Sequence, residues 1–164
     1  MQPEPEIAYR RAMGAFATGV AVVSAVRPGG AVAGLTVNSL TSVSLKPPLL
    51  LWCLGDTCER YDLFASAEVW GLTILGGGDE ALARRFARMH TETIPAEEGD
   101  TLMDAPVLRA GVAHFACRTH ARHEGGDHLI IVGEVTGFRT EAGAALTFYR
   151  GAYGRADDPR EGST

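Results

Sequence analysis

From Gly19 to Val26 the chain carries only small and β-branched residues, an unbroken run that predicts a buried strand. Arg27-Pro28-Gly29-Gly30 puts proline and glycine where a turn needs them. Ala31 to Thr36 then returns as the second strand of a hairpin. The pattern that follows is polar. Thr36, Asn38, Ser39, Thr41, Ser42 and Ser44 set six short hydrogen-bonding side chains within nine residues. Alternation puts Ser42 and Ser44 on one face of a strand, with Val43 and Leu45 on the other. Lys46-Pro47-Pro48 is expected to stop pairing, because two consecutive residues lack an amide hydrogen. Leu49 to Leu54 shows no alternation and predicts a strand buried on both faces, as a barrel stave closed against a second subunit would be.

Helical periods are short. Residues 5–13 predict a helix entered at Pro5 and ended by Gly14, with Arg10 and Arg11 on a solvated edge. Asp56 and Glu59 read as a capping box for a helix carrying Tyr61, Phe64 and Ala65. Asp79 is expected to cap a helix whose stripe is Leu82, Phe86 and Met89. Strands are predicted at Val69 to Leu75, at Val112 to Arg122 and at Asp127 to Phe138. In the second of these Ala113, Phe115, Cys117 and Thr119 oppose His114, Ala116, Arg118 and His120. Gly76-Gly77-Gly78 lacks the spacing of a dinucleotide fingerprint. The acidic stretch through Glu97, Glu98 and Asp100 reads as a solvated surface loop. Tyr149 to Gly154 closes the fold, and Asp157 to Thr164 is expected to fray.

At 164 residues this is one domain over 1–164, with its core over about 12–154 and enough chain to bury a core without staples. A net charge of −5 argues against nucleic acid as a partner. No run is long enough to span a membrane, and the acidic Met1-Gln2-Pro3-Glu4 opening is unlike a signal peptide. Cys53, Cys58 and Cys117 cannot all pair and match no zinc spacing, which fits a reducing cytoplasm. His120, His123 and His128 invite a metal, but no cysteine or carboxylate completes a convincing ligand set, so none is expected.

Four segments in register carry a resemblance. They are Phe16-Ala17-Thr18-Gly19-Val20, the stretch Gly34-Leu35-Thr36-Val37-Asn38-Ser39-Leu40-Thr41-Ser42-Val43-Ser44-Leu45 with its following Pro47-Pro48, then Gly126-Asp127-His128 running into Gly133-Glu134-Val135, and Tyr149-Arg150-Gly151-Ala152-Tyr153-Gly154. Together they resemble the flavin reductase-like family of FMN-binding split barrels. The resemblance implies a mostly β fold, an antiparallel split β-barrel with Greek-key topology and a few short helices, assembled as a homodimer. It implies NAD(P)H-dependent reduction of FMN or FAD, with NADH or NADPH as hydride donor, and delivery of reduced flavin to a partner monooxygenase. The rival is a flavin-binding module or sensor without productive nicotinamide binding. A related barrel oxidising a B6 vitamer phosphate would need basic phosphate contacts that the chain does not offer.

Carried onto this chain, the resemblance places Thr36, Val37, Asn38, Ser39 and Leu40 at the flavin ring edge, and Ser42 and Ser44 at its ribityl chain or phosphate. Cys53, Thr57, Cys58, Phe86 and Arg88 complete the flavin side, although Asp56 beside Thr57 would repel a phosphate. His128 is placed beside the nicotinamide as the catalytic residue, with Asp127 either fixing its tautomer or serving only as a turn residue. Thr18, Tyr149, Arg150 and Tyr153 line the nicotinamide side, unless the two tyrosines only pack across a subunit seam. Cys53 is not expected to be a redox thiol. The loop at 90–106 departs from the family, having Thr91-Glu92-Thr93-Ile94-Pro95 where a basic residue and phenylalanine are usual.

Overall fold

The computed structural model describes residues 4–88 and 93–159. Helix α1 (Pro5–Met13) has proline in its first turn and Gly14 at its C-cap, and none of its residues is buried. Strands β1 (Thr18–Gly19) and β2 (Ala21–Val26) follow, and β3 (Val32–Val37) returns antiparallel to β2 from Val26↔Val32 to Ala21↔Val37. Next come β4 (Thr41–Leu45), β5 (Pro48–Gly55), α2 (Tyr61–Ser66), β6 (Val69–Ile74) and α3 (Glu80–Phe86). The hairpin β7 (Gly99–Leu102) and β8 (Ala105–Leu108) leads to the long pair β9 (Ala113–Gly125) and β10 (His128–Thr140). A last hairpin, β11 (Ala145–Tyr149) and β12 (Ala152–Ala156), ends the fold.

Seven strands make one antiparallel sheet in the order β3-β2-β6-β9-β10-β5-β4. Its two edges, β3 and β4, are joined only by Asn38-Ser39-Leu40. Four Cα steps hold Val37 and Thr41 within about 15 Å of each other, so the sheet curls until its edges approach at that end. A three-stranded sheet, β1-β11-β12, adjoins it through Leu75, whose N–H donates to Val20 O while its carbonyl accepts the Leu146 N–H.

β2 is buried on both sides, as its unbroken apolar run predicts. Ala21, Val23 and Ala25 share a cluster with Trp52, Phe64, Trp70 and Leu72, while Val20 and Val22 pack in a second one with Leu75, Phe86 and Leu146. Trp52 is the hub of the first, edge-on to Phe64 at 5.7 Å and to Trp70 at 6.0 Å between ring centroids.

Several expectations are corrected. Lys46-Pro47-Pro48 does not end pairing: it turns the chain, with Pro47 cis, and Leu45 pairs directly with Pro48. A register shift between Ser42 and Ser44 breaks the alternation of β4, and Val43 and Leu45 are exposed. Within the chain β5 alternates, with Leu50, Trp52 and Leu54 buried and the residues between them half-buried. The capping box is absent. α2 starts at Tyr61, with no side-chain cap, and the Asp56 N–H donates to Asp127 O. Asp79 stands at the N-cap of α3 but accepts the Gly76 N–H, bending the glycine loop rather than capping the helix. β9 runs on to Gly125, so its turn is Gly126-Asp127, and its first residues are covered on both sides. The acidic loop is not merely solvated, because Glu98 pairs with Arg85 and Asp100 with Arg139. Met89, Thr91, Glu92 and residues 160–164 of the tail lie outside the described residues.

Two predictions follow from this frame. Arg60 is buried, and its guanidinium donates to Gly34 O at 3.0 Å and Arg88 O at 2.8 Å, tying β3 to the end of α3. Arg60→Met leaves those carbonyls without donors and is expected to cost about 1–3 kcal/mol, read as a lower urea midpoint. The Arg85 guanidinium holds the Glu98 carboxyl below the usual carboxylate range. A folded-state pKa lowered in this way gives stability that is present above the usual range and lost as pH falls through the lowered value. Glu98→Gln is therefore expected to flatten the fall of melting temperature on acidification.

Candidate functional site

The polar connector between the sheet edges is held by its own side chains. Ser39 Oγ accepts the Cys53 N–H at 2.9 Å, fastening the connector to β5. The Thr36 hydroxyl donates to Ala83 O at 2.8 Å, and Ser44 Oγ accepts the Lys46 N–H at 3.2 Å. Val37 is buried, Leu40 is half-buried and Ser42 is exposed. What faces outward is a cleft of about 490 Å³ bordered by Tyr9, Met13, Phe16, Thr18, Asn38 and Leu40. Its size falls within the range of small-molecule sites.

Thr18 pairs with Phe148 across β1 and β11, and the Thr18 hydroxyl is buried with no hydrogen-bond partner among the described residues. A buried hydroxyl left unpaired costs about 1–3 kcal/mol, so the cleft wall presents an unmet hydrogen bond. Asn38 also borders two adjoining recesses, one shared with Phe148 and Tyr153 and one with Gly19 and Ile74. Phe148 and Tyr153 meet edge-on at 5.2 Å. Small polar groups beside aromatic and aliphatic walls suit a planar ring with a polar edge. The residues present therefore fit a flavin or a nicotinamide.

The His128 side chain stands at the tip of the β9–β10 hairpin, where Gly126 takes φ +71°. Its Nδ1 lies 2.7 Å from Asp127 Oδ1. The His128 ring beside Asp127 lowers the pKa of that carboxyl, with a smaller contribution from Arg10. The paired carboxylate fixes the ring tautomer with the proton on Nδ1, leaving Nε2 as the free face. Across the strand pair, a side chain at Gly55 would come within 3.5 Å of His128 Nε2, so glycine there keeps the ring accessible. Cys53 is half-buried, and burial pushes its thiol up, which keeps it protonated and unreactive.

The structure brings Thr18, Asn38, Ser39 and Leu40 together at one cleft. Thr57, Cys58 and Arg88 are not among its lining residues, and Phe86 is sealed in the core beneath Gly34, where it supports β3. Tyr149 is exposed; Arg150 and Gly151 form the β11–β12 turn with φ +49° and +84°. Among the histidines, His120 Nδ1 is 4.0 Å from Glu134, and His123 sits opposite Ile130. No group of three or more metal-ligating side chains converges among the described residues. Sequence reasoning predicted α1 but missed its place at the site, where Tyr9, Arg10 and Met13 border the cleft. The available signal was Met13 and Phe16, large apolar residues that a short solvated helix does not need.

Residues 13–157 match the family described as the flavin reductase like domain. The chain is 41% identical over 149 residues to the FMN reductase (NADH) SmoA of Agrobacterium fabrum, covering 90% of this chain and 84% of that protein. It is 35% identical over 145 residues to the reductase component of the flavin-dependent trigonelline monooxygenase of Acinetobacter baylyi, covering 88% of this chain and 47% of that one. The chain thus spans about half of that relative. Among solved structures, the Streptomyces globisporus NADH:FAD oxidoreductase SgcE6, in complex with NAD and FAD fragments, superposes with a TM-score of 0.87 at 33% identity. That match covers 97% of this chain and 96% of SgcE6.

Proposed function

The chain belongs to the family of flavin reductase-like domains, and on that premise we propose that the Asn38 cleft and the His128 tip together form the seat at which hydride passes from NADH to FMN or FAD. The protein is an NADH:flavin oxidoreductase. The match over residues 13–157 carries this reading, and the unpaired Thr18 hydroxyl in the cleft wall supports it.

Bound flavin and nicotinamide supply the hydride chemistry themselves, so the protein needs neither a nucleophile nor a strong base. Its own contribution is apposition and exclusion of water. Thr18 and Asn38 meet a polar ring edge, while Leu40, Phe16 and Phe148 wall the cleft against water. Ser39 acts by holding the connector on β5. His128, oriented by Asp127, offers Nε2 to the nicotinamide side. Tyr153 and Tyr149 border that side.

Reduced flavin passes to a partner monooxygenase, as the reductase-component relatives suggest. We read the curled sheet and its adjoining three-stranded sheet as the split barrel with Greek-key links that the family resemblance implies. The working form is a cytoplasmic homodimer: Ile7, Tyr9, Met13 and Phe16 leave α1 and its exit exposed as an apolar surface that a second copy would cover. NADH oxidation should rise saturably with added FMN or FAD, and a comparison with NADPH ranks the donors. A yellow protein that holds flavin but ignores both donors would overturn the assignment.

A further inference from the structure

Helix α3 braces both walls of the recess that Asn38 shares with Phe148 and Tyr153, a space of about 130 Å³. On one wall the Thr36 hydroxyl donates to Ala83 O at 2.8 Å. On the other, the next residue of the helix reaches β12: the Arg84 guanidinium carbon lies 4.9 Å from the centroid of the Tyr153 ring. Tyr153 is half-buried and pairs with Phe148 across the β11–β12 hairpin, and Phe148 pairs with Thr18. A line of contacts therefore runs from α3 through Tyr153 and Phe148 to the residue whose hydroxyl is left unpaired in the cleft wall.

The Arg84 guanidinium is not loose. Its Nε donates to Glu80 Oε1 at 2.7 Å, and its Nη2 lies 2.6 Å from the same oxygen. One edge of the fork is thus held by a residue one turn earlier on the helix, which fixes where the planar group lies. An ion pair at this spacing steadies a helix by itself and needs no aromatic partner. The contacts of Arg85 with Phe86 and of Arg150 with Tyr149 join neighbours in the chain, whereas that of Arg84 with Tyr153 joins α3 to the last hairpin of the fold. A cation is drawn to the negative face of an aromatic ring. With that face taken, Tyr153 meets a ligand by its other face or its edge, in an orientation that α3 dictates.

We propose that Arg84, held by Glu80, is a positioning residue that sets the Tyr153 ring against the nicotinamide of the donor. Arg84 touches no ligand in this role and acts only through the ring. The inference rests on the reading of Tyr153 as part of the nicotinamide side.

The test compares the parent with Arg84→Met, which keeps a long, helix-favouring stem and removes the charge. The KM for NADH is expected to rise about two- to fivefold, the size of an exposed cation–π contact, with the KM for flavin unchanged. Lysine keeps a cation but not the planar fork, so Arg84→Lys should fall between the two. Arg118→Met is the control: it removes a comparably exposed ion pair, with Asp104, outside the lining of the cleft and its two recesses, and should leave both KM values at the parent's. Independently of turnover, the Tyr153 ring signals of the ligand-free protein, labelled at tyrosine and identified by their loss in Tyr153→Phe, should shift in Arg84→Met and move back toward the parent's in Arg84→Lys. An unchanged KM for NADH in Arg84→Met overturns the proposal. So does an equal rise for NADH and flavin, which would make α3 a brace of the whole seat, and so does a rise confined to flavin. Ring signals that stay in place in Arg84→Met overturn it as well. If the parent does not couple NADH oxidation to flavin reduction at all, the enzymatic assignment fails, while the ring signals still report whether Arg84 sets Tyr153.

Discussion

Gly71→Ala is expected to destabilise the fold by about 3–5 kcal/mol, a large share of the 5–15 kcal/mol that a domain of this kind has in hand. Gly71 sits at the centre of β6, paired with Ser24 on β2 and with Ala116 on β9. A Cβ there would fall 1.6 Å from the Pro106 carbonyl oxygen and 2.9 Å from Val107 Cγ1. The obstacle is backbone, so no rotamer change relieves it. That carbonyl also accepts the Ser24 hydroxyl at 2.6 Å, deep in the interior. To make room, β8 must lift from the sheet and expose Ala105, Val107 and Leu108, each now at most 1% exposed. Burial of one Val or Leu side chain is worth about 1.5–3 kcal/mol, so lifting the strand costs as much as the clash. Gly78→Ala is the control, since a Cβ there meets nothing within 4 Å, and it should leave stability unchanged or slightly raised. Unfolding free energies of the two variants, from urea titration, within about 1 kcal/mol of each other would refute this account of why β6 carries a glycine.

Nothing in the sequence around Gly71 distinguishes it from a glycine that merely weakens a strand, because what it accommodates is a carbonyl 35 residues further on. The same limit explains the other misses. Local signals were legible: the first hairpin, the turn at Arg27 to Gly30, the glycine end of α1 and the alternation through Cys117 to His120 all follow from neighbours in the chain. Lys46-Pro47-Pro48 was misread because prolines forbid ladder bonds at their own nitrogens, yet do not prevent the flanking strands from pairing around a tight turn. The capping box failed because the Asp56 backbone is drawn to the Asp127 carbonyl, a contact between the residue after β5 and a turn that comes 71 residues later.

For the site, the sequence singled out the connector and the histidine, but not the labour of each hydroxyl. Thr36, Ser39 and Ser44 are spent on Ala83, Cys53 and Lys46, and of the three only Ser39 borders the cleft. A serine that binds ligand and one that binds a neighbouring strand have the same side chain and the same spacing; only the partner differs. The place of the α1 arginines was not legible for a related reason. Its arginines read as solvent-facing because periodicity says which face is polar, not which cavity that face overlooks.

His128→Ala is expected to raise the KM for NADH by about tenfold or more, the loss of one strong hydrogen bond to a bound ring, while leaving the KM for flavin near the parent value. The ring is half-exposed at a hairpin tip and supports no core cluster, so its removal should not unfold the protein. Specificity of the effect comes from geometry: Nδ1 is held by Asp127, and Nε2 is the atom left for the donor. Asp127→Asn should give part of the same loss, because an amide can still touch Nδ1 but no longer dictates its proton. The Asp127 carboxyl titrates below its ordinary range, held there by His128. Its grip on the ring is accordingly complete above that range and released as pH falls through the lowered value. His128→Ala should differ from both the parent and Asp127→Asn near neutrality. Equal losses for NADH and flavin would mean that the hairpin tip shapes the whole cleft, and no loss for either would remove His128 from the nicotinamide side altogether.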